Sequence, residues 1–204
     1  MTKDARPTQS QLKHQAILDA AAAEFRAHGF QGTSMDRISE RAQVSKRTVY
    51  NHFPSKDDLF RAILSDVWTR GIAVSDIPFR SDAGLEDQLT EIARAEIDYL
   101  SKEESLELAR ALMVATMQAP ELASSTLEEL LELDVGIVAW VRAATEHGAL
   151  SVADPEMAGH QFKALIKAFA FWPQAMLGQP PLSQDEADAV IASAIEVFLA
   201  AYRA

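Results

Sequence analysis

An all-α fold is what this chain predicts, on three observations. Apolar residues recur at three- and four-residue spacing along most of its length. No stretch sustains the period-two alternation or the β-branched clustering of a strand. Gly and Pro punctuation closes each periodic segment. About nine helices follow, three of them within residues 1–56 and the remainder in a larger bundle over 57–204.

The first helix reads over 11–28, where Ile17, Ala20, Ala21 and Phe25 share a face and Gly29 takes the position just past the end. Thr33 with Asp36 makes a capping-box pattern at the head of a second helix that reaches about Ala42. Gln43-Val44-Ser45 is a tight turn. A third, short helix carries Lys46, Arg47, Thr48, Tyr50, Asn51 and His52. It ends before Pro54, because proline disfavours helical geometry in the residue ahead of it. Ser55 caps a fourth helix bearing Leu59, Ile63, Val67 and Trp68, with Asp57 and Asp58 at its positive end. Beyond a loop at 75–84, helices are expected over 85–100, 104–118, 121–147 (bent at Gly136), 154–177 and 183–203.

Composition narrows the class. With 48% hydrophobic residues in 204, the chain has enough apolar surface for a substantial core. It lacks cysteine, which removes disulfides and thiolate metal sites and fits a reducing, cytoplasmic setting. The first 13 residues contain no apolar core of a secretory signal, and no run approaches the roughly 18–20 apolar residues of a membrane span. Charge is divided unevenly. Residues 1–56 hold nine Lys and Arg against five Asp and Glu, whereas 57–204 hold ten against twenty-five. A basic end on an acidic body orients the molecule towards phosphate.

Helices two and three, joined by the 43–45 turn, read as a helix-turn-helix whose second member enters a DNA major groove. Ile38, Ala42, Val44, Val49, Phe53, Phe25 and Phe30 form its small core. Lys46 and Arg47 stand where they reach guanine edges, and Thr48 and Asn51 suit thymine methyl or adenine edges. Tyr50, His52 and Lys56 suit phosphate oxygens, and Thr33 and Ser34 open a helix towards another. Lys3, Arg6 and Lys13 make a basic arm suited to a minor groove. The competing reading is that Tyr50 and His52 cover the core and Lys46 and Arg47 are solvated surface.

The segments VSKRTVYNHFPSKDDLF and GFQGTSMDRISERA resemble the DNA-binding domain of TetR-family transcriptional regulators, over residues 11–64. That family's DNA-contact motif falls on Thr33, Ser34, Ser45, Lys46, Arg47, Thr48, Tyr50, His52 and Lys56. APEL at 119–122 and GALSVADPEMAGHQF at 148–162 resemble the C-terminal domain of the AefR-like branch. One departure is Gln43, at a turn position usually filled by glycine, where a left-handed backbone strains a side chain. The resemblance implies a DNA-binding domain over 1–56 and a ligand-binding and dimerisation domain over 57–204. The expected function is a repressor released from a palindromic operator by a small-molecule effector. A signal-independent or architectural DNA-binding protein and an activator are the alternatives.

The body carries more apolar surface than one core needs, which suggests a homodimer through its last helices. Phe162, Phe171, Trp172, Val190, Ile191, Ala194, Ile195 and Phe198 are the candidate interface residues, against the alternative of a thicker monomer core. Trp68, Met113, Met117, Trp140 and Phe169 are candidates to line an effector pocket, against the alternative of ordinary core filling. Arg110, on the stripe of Leu106, Met113 and Met117, reads either as an anchor for an acidic ligand group or as an ion-pair partner of Glu96, Asp98 or another glutamate. The histidines at 14, 28, 52, 147 and 160 have no metal-site spacing, and no nucleophile elbow or phosphate loop is present. No catalytic residue, metal or cofactor is therefore expected, and no membrane association.

Overall fold

The computed structural model describes residues 8–121, 124 and 136–204. Lys3 and Arg6 of the expected arm lie outside the described residues, as do 122, 123 and 125–135 of the helix expected over 121–147. The described chain is helical apart from turns and an isolated bridge between Leu150 and Arg203. It divides into two compact units. One comprises the described residues up to Val67 together with those from Leu108; the other comprises Trp68–Glu107 and the described residues from Gly136 onward.

In the N-terminal unit, α1 (Gln9–Gly32) starts with a capping box in which Thr8 and Gln11 bond each other's backbone N–H. Gly29, at φ 68°, interrupts it, so the regular helix stops where the sequence places its end. α2 (Met35–Arg41) is capped by Ser34, whose Oγ accepts from Arg37 N–H at 3.3 Å. This corrects the expected cap: the buried Thr33 faces back, and its hydroxyl donates to the Gly29 carbonyl at 2.8 Å. α3 (Lys46–His52) is capped by Ser45, which accepts from Thr48 N–H at 3.1 Å. Between α2 and α3, Gln43 adopts φ 55°, the left-handed geometry expected of the turn.

Ser55 opens α4 (Lys56–Ala73), accepting from Asp58 N–H at 3.1 Å. Leu59, Phe60 and Ile63 of α4 join Ile17, Ala21, Phe25, Phe30, Ile38, Val49 and Phe53 in one core. Phe30 stands edge-on to both Phe25 and Phe60, at 5.5 and 5.4 Å between centroids. Leu108, Leu112 and Ala115 of α6 (Glu103–Gln118) belong to the same core. Glu24 on α1 is buried against Arg41 on α2, with Nε donating to Oε1 at 2.8 Å.

The C-terminal unit is organised around α8 (Pro155–Ala170), which packs on α5 (Leu85–Leu100), α7 (Ile137–Glu146), α9 (Trp172–Leu177) and α10 (Gln184–Tyr202). Leu89, Ile92, Trp140, Val141, Phe162, Ile166, Ile191 and Phe198 fill its interior. α7 and α8 approach closely at Gly159, where a Cβ would come within 2.9 Å of Val138 Cγ2. Buried Gln88 ties the preceding loop down: its Oε1 accepts from Arg80 N–H at 2.8 Å and from the Trp140 indole at 3.2 Å, while its Nε2 donates to the Arg80 carbonyl at 2.9 Å. The helix expected over 154–177 is broken at Phe171. Pro173 cannot donate to the Phe169 carbonyl, and the Gln174 side chain does so instead at 3.1 Å.

Candidate nucleic-acid interface

α3 is a seven-residue helix, too short to hold itself together in water. Three things fix it. Ser45 satisfies its first turn, Val49 and Phe53 are buried beneath it, and α2 packs along it. The residues between those anchors point away from the core. Ser45, Lys46, Arg47, Tyr50 and Asn51 are exposed, and Thr48 is half-buried. Tyr50 is 49% exposed, which excludes it from covering the core. His52 is half-buried, its ring edge-on to His14 of α1 at 5.6 Å.

The cations on this face differ in freedom. Arg47 makes no ion pair among the described residues. Lys46 Nζ lies 2.7 Å from Asp36 Oδ2, both side chains more than half exposed. That hydrogen bond and the carboxylate charge raise the Lys46 pKa above its ordinary value. Lys56 Nζ donates to the Phe30 carbonyl at 2.8 Å and the Thr33 carbonyl at 3.3 Å, and sits 4.4 Å above the Phe30 ring. Thr33 likewise uses its hydroxyl and its N–H within the end of α1. Of the sequence-selected group, Ser34, Ser45, Arg47, Tyr50 and Asn51 are therefore presented outward, whereas Thr33 and Lys56 hold the framework. The Asp36–Lys46 and Glu24–Arg41 contacts leave no local signal in the sequence. Their partners lie ten and seventeen residues apart, beyond any helical spacing.

Residues 17–63 match the family "Bacterial regulatory proteins, tetR family", and residues 87–204 match "AefR-like transcriptional repressor, C-terminal domain". The chain belongs to the TetR family of transcriptional regulators. A TetR-family regulator from Pseudomonas syringae pv. tomato is 40% identical, with 99% of each chain covered and a TM-score of 0.77. The flavonoid-responsive regulator FrrA is 26% identical, with 94% of this chain and 97% of that one covered and a TM-score of 0.75. The regulator RutR of Escherichia coli K12 is 29% identical over 147 residues, 71% of this chain and 67% of its own. This TetR-family protein is thus a helix-turn-helix transcriptional regulator, and among its described residues no helix is long and apolar enough to cross a membrane.

Two other groups of sequence-selected residues are placed differently from expectation. Phe162, Ile191, Ala194, Ile195 and Phe198, expected at a partner, are buried in the protomer's own core. Phe171 and Val190 are half-buried, and Trp172 is exposed. α10 is apolar on most sides, so its sequence does not reveal which stripe turns inward. The outward stripe of α8 and α10 borders a groove of about 380 Å³ lined by Leu165, Ala168, Phe169, Val197, Ala201 and Tyr202. Among the pocket candidates, Trp140 is sealed in the C-terminal core while Phe169 lies on the outside of the same unit. Trp68 belongs to that unit and is half-buried. Arg110, Met113 and Met117 belong to the N-terminal unit, where Met117 is exposed and the other two are half-buried.

Proposed function

We propose that this TetR-family regulator is a cytoplasmic, homodimeric repressor that occupies a palindromic operator and leaves it when a small molecule binds. The observation that carries the reading is the presentation of Arg47, Tyr50 and Asn51 from a helix whose own turns and core hold it rigid. Arg47 and Asn51 have the donor patterns for guanine and adenine edges, and Tyr50 suits a phosphate. One seven-residue helix makes too few contacts to select a site. Two, spaced one DNA turn apart, read a palindrome. The exposed apolar groove beside Phe169 and Val197 is the surface proposed to pair the two copies. Effector response is supported by FrrA, whose name describes it as flavonoid-responsive. An effector releases the operator only through unequal affinity for the two conformations, roughly 10⁴-fold for a near-complete switch.

The test is selection of bound duplexes from a random library by the full chain, followed by titration over a range of salt. The expected result is an inverted repeat bound with steep salt dependence, and an Arg47→Ala variant that loses preference at one base position in each half. Retention of no duplex above the level of serum albumin at low salt would overturn the reading. Operator release and a raised melting temperature with the same compound, from a metabolite and drug panel, would support the effector step. Release by none of them would favour a signal-independent DNA-binding protein.

A further inference from the structure

Lys46 and Arg47 are adjacent cations at the head of the reading helix, yet they are not equivalent. Lys46 is drawn across to α2, where Asp36 in the first turn accepts its Nζ at 2.7 Å. Glu40, one turn further along α2, adds its field to the same ammonium. Arg37, next to Asp36, does not compete for that carboxylate through its Nη1, which donates to the Gly32 carbonyl at 3.3 Å. Arg47 has no ion-pair partner among the described residues.

We infer that Asp36 keeps Lys46 in reserve: it withdraws this lysine from the DNA, leaves Arg47 as the cation that opens the reading helix, and so acts as a determinant of specificity. The inference rests on the DNA-binding reading proposed above. Lysine is a flexible point charge that attracts any phosphate or guanine within reach, whereas a guanidinium forks onto guanine in a fixed geometry. A freed lysine beside Arg47 adds affinity without selectivity. A carboxylate beside it offsets that attraction with its own charge, and brings a like charge towards any phosphate that would displace it. Because both groups are largely solvated, the pair is weak and contributes little to the fold.

The experiment compares the wild-type chain with Asp36→Asn, Lys46→Met and the double variant. Each is titrated with the selected operator and with a scrambled duplex of equal length, over a series of salt concentrations. Lys46→Met is expected to change neither affinity more than about twofold. Asp36→Asn is expected to tighten the scrambled duplex severalfold, to steepen the salt slope by about one counterion, and to shrink the ratio of operator to scrambled affinity. In the double variant most of that gain disappears. The inference is overturned if Lys46→Met alone weakens either duplex by clearly more than twofold, because the lysine then contacts DNA despite Asp36. It is equally overturned if the gain of Asp36→Asn persists undiminished without Lys46, because the carboxylate then acts only by repelling DNA. A wild-type chain that binds neither duplex overturns the DNA-binding reading itself, a result distinct from both.

Discussion

Lys56 Nζ lies 2.8 Å from the Phe30 carbonyl oxygen and 4.4 Å above the Phe30 ring, so one ammonium pins the end of α1 to the start of α4. The bond to the Thr33 carbonyl extends that clasp to the entry of α2. The lysine thus stabilises the platform on which α3 is mounted. Replacing it with Met keeps much of the contact with the ring but removes both hydrogen bonds. Urea unfolding of Lys56→Met should show a loss of about 1–3 kcal/mol, the usual worth of a charge-assisted bond to backbone. Affinity for operator and scrambled duplexes should fall in equal proportion. A loss of DNA affinity with unchanged stability would return Lys56 to direct phosphate contact.

Gln43 carries a side chain at φ 55°, where a Cβ crowds the following carbonyl. Gln43→Gly relieves that strain but increases the freedom of the unfolded chain. The net gain should be about 0.5–1 kcal/mol, and Gln43→Ala, which keeps the Cβ, should be close to neutral. Chemical denaturation of the three proteins checks this. Equal stability of the Gly and Ala variants would show that the strain at this turn is no larger than the unfolded-state entropy that glycine adds.

The helix-turn-helix was legible because its information is local. Ser45 and Pro54 mark boundaries by their own chemistry, and Val49 and Phe53 stand at the four-residue spacing that buries both. Thr33 and Ser34 show where such information ends. Both are good caps, and the choice between them depended on Gly29 offering its carbonyl to the Thr33 hydroxyl. The body was less legible. Ile191, Ala194, Ile195 and Phe198 form as good a partner-facing stripe as Val197 and Ala201, and only the packing of α5 and α8 decides which one is buried. Lys56, expected at phosphate, has its ammonium bonded at Phe30, which supplies both a ring and a carbonyl from 26 residues away.

The close approach of α7 to α8 at Gly159 predicts an unfavourable Ala there, although Ala is the better helix former by about 1 kcal/mol. The added Cβ would meet Val138 Cγ2 at 2.9 Å and the Val138 backbone at 3.3 Å. Separating two packed helices costs about 1–3 kcal/mol. Thermal unfolding should therefore place Gly159→Ala below the wild type. Adding Val138→Ala should cost less in that background than alone, since the clash is relieved. Strict additivity of the two changes would show that the helices do not meet at this point.

Glu96 is buried between two lysines of α8, with Lys163 and Lys167 at 3.5 and 3.4 Å. Burial is the larger influence on Lys163 and lowers its pKa below the usual 10.5; Glu96 opposes the shift and Lys167 adds to it. In the interval between that lowered value and 10.5, the folded protein has released a proton that the unfolded chain still holds. The unfolded state then binds more protons, so Lys163 makes stability rise with pH across this interval. Lys163→Met abolishes that contribution and leaves Lys167 to pair with Glu96. Urea midpoints measured from about pH 8 to 10.5 should show the stability of the wild type relative to Lys163→Met increasing with pH. A constant difference would mean that Lys163 titrates at its ordinary value. A difference that decreases with pH would mean that Glu96, rather than burial, sets the proton affinity of Lys163.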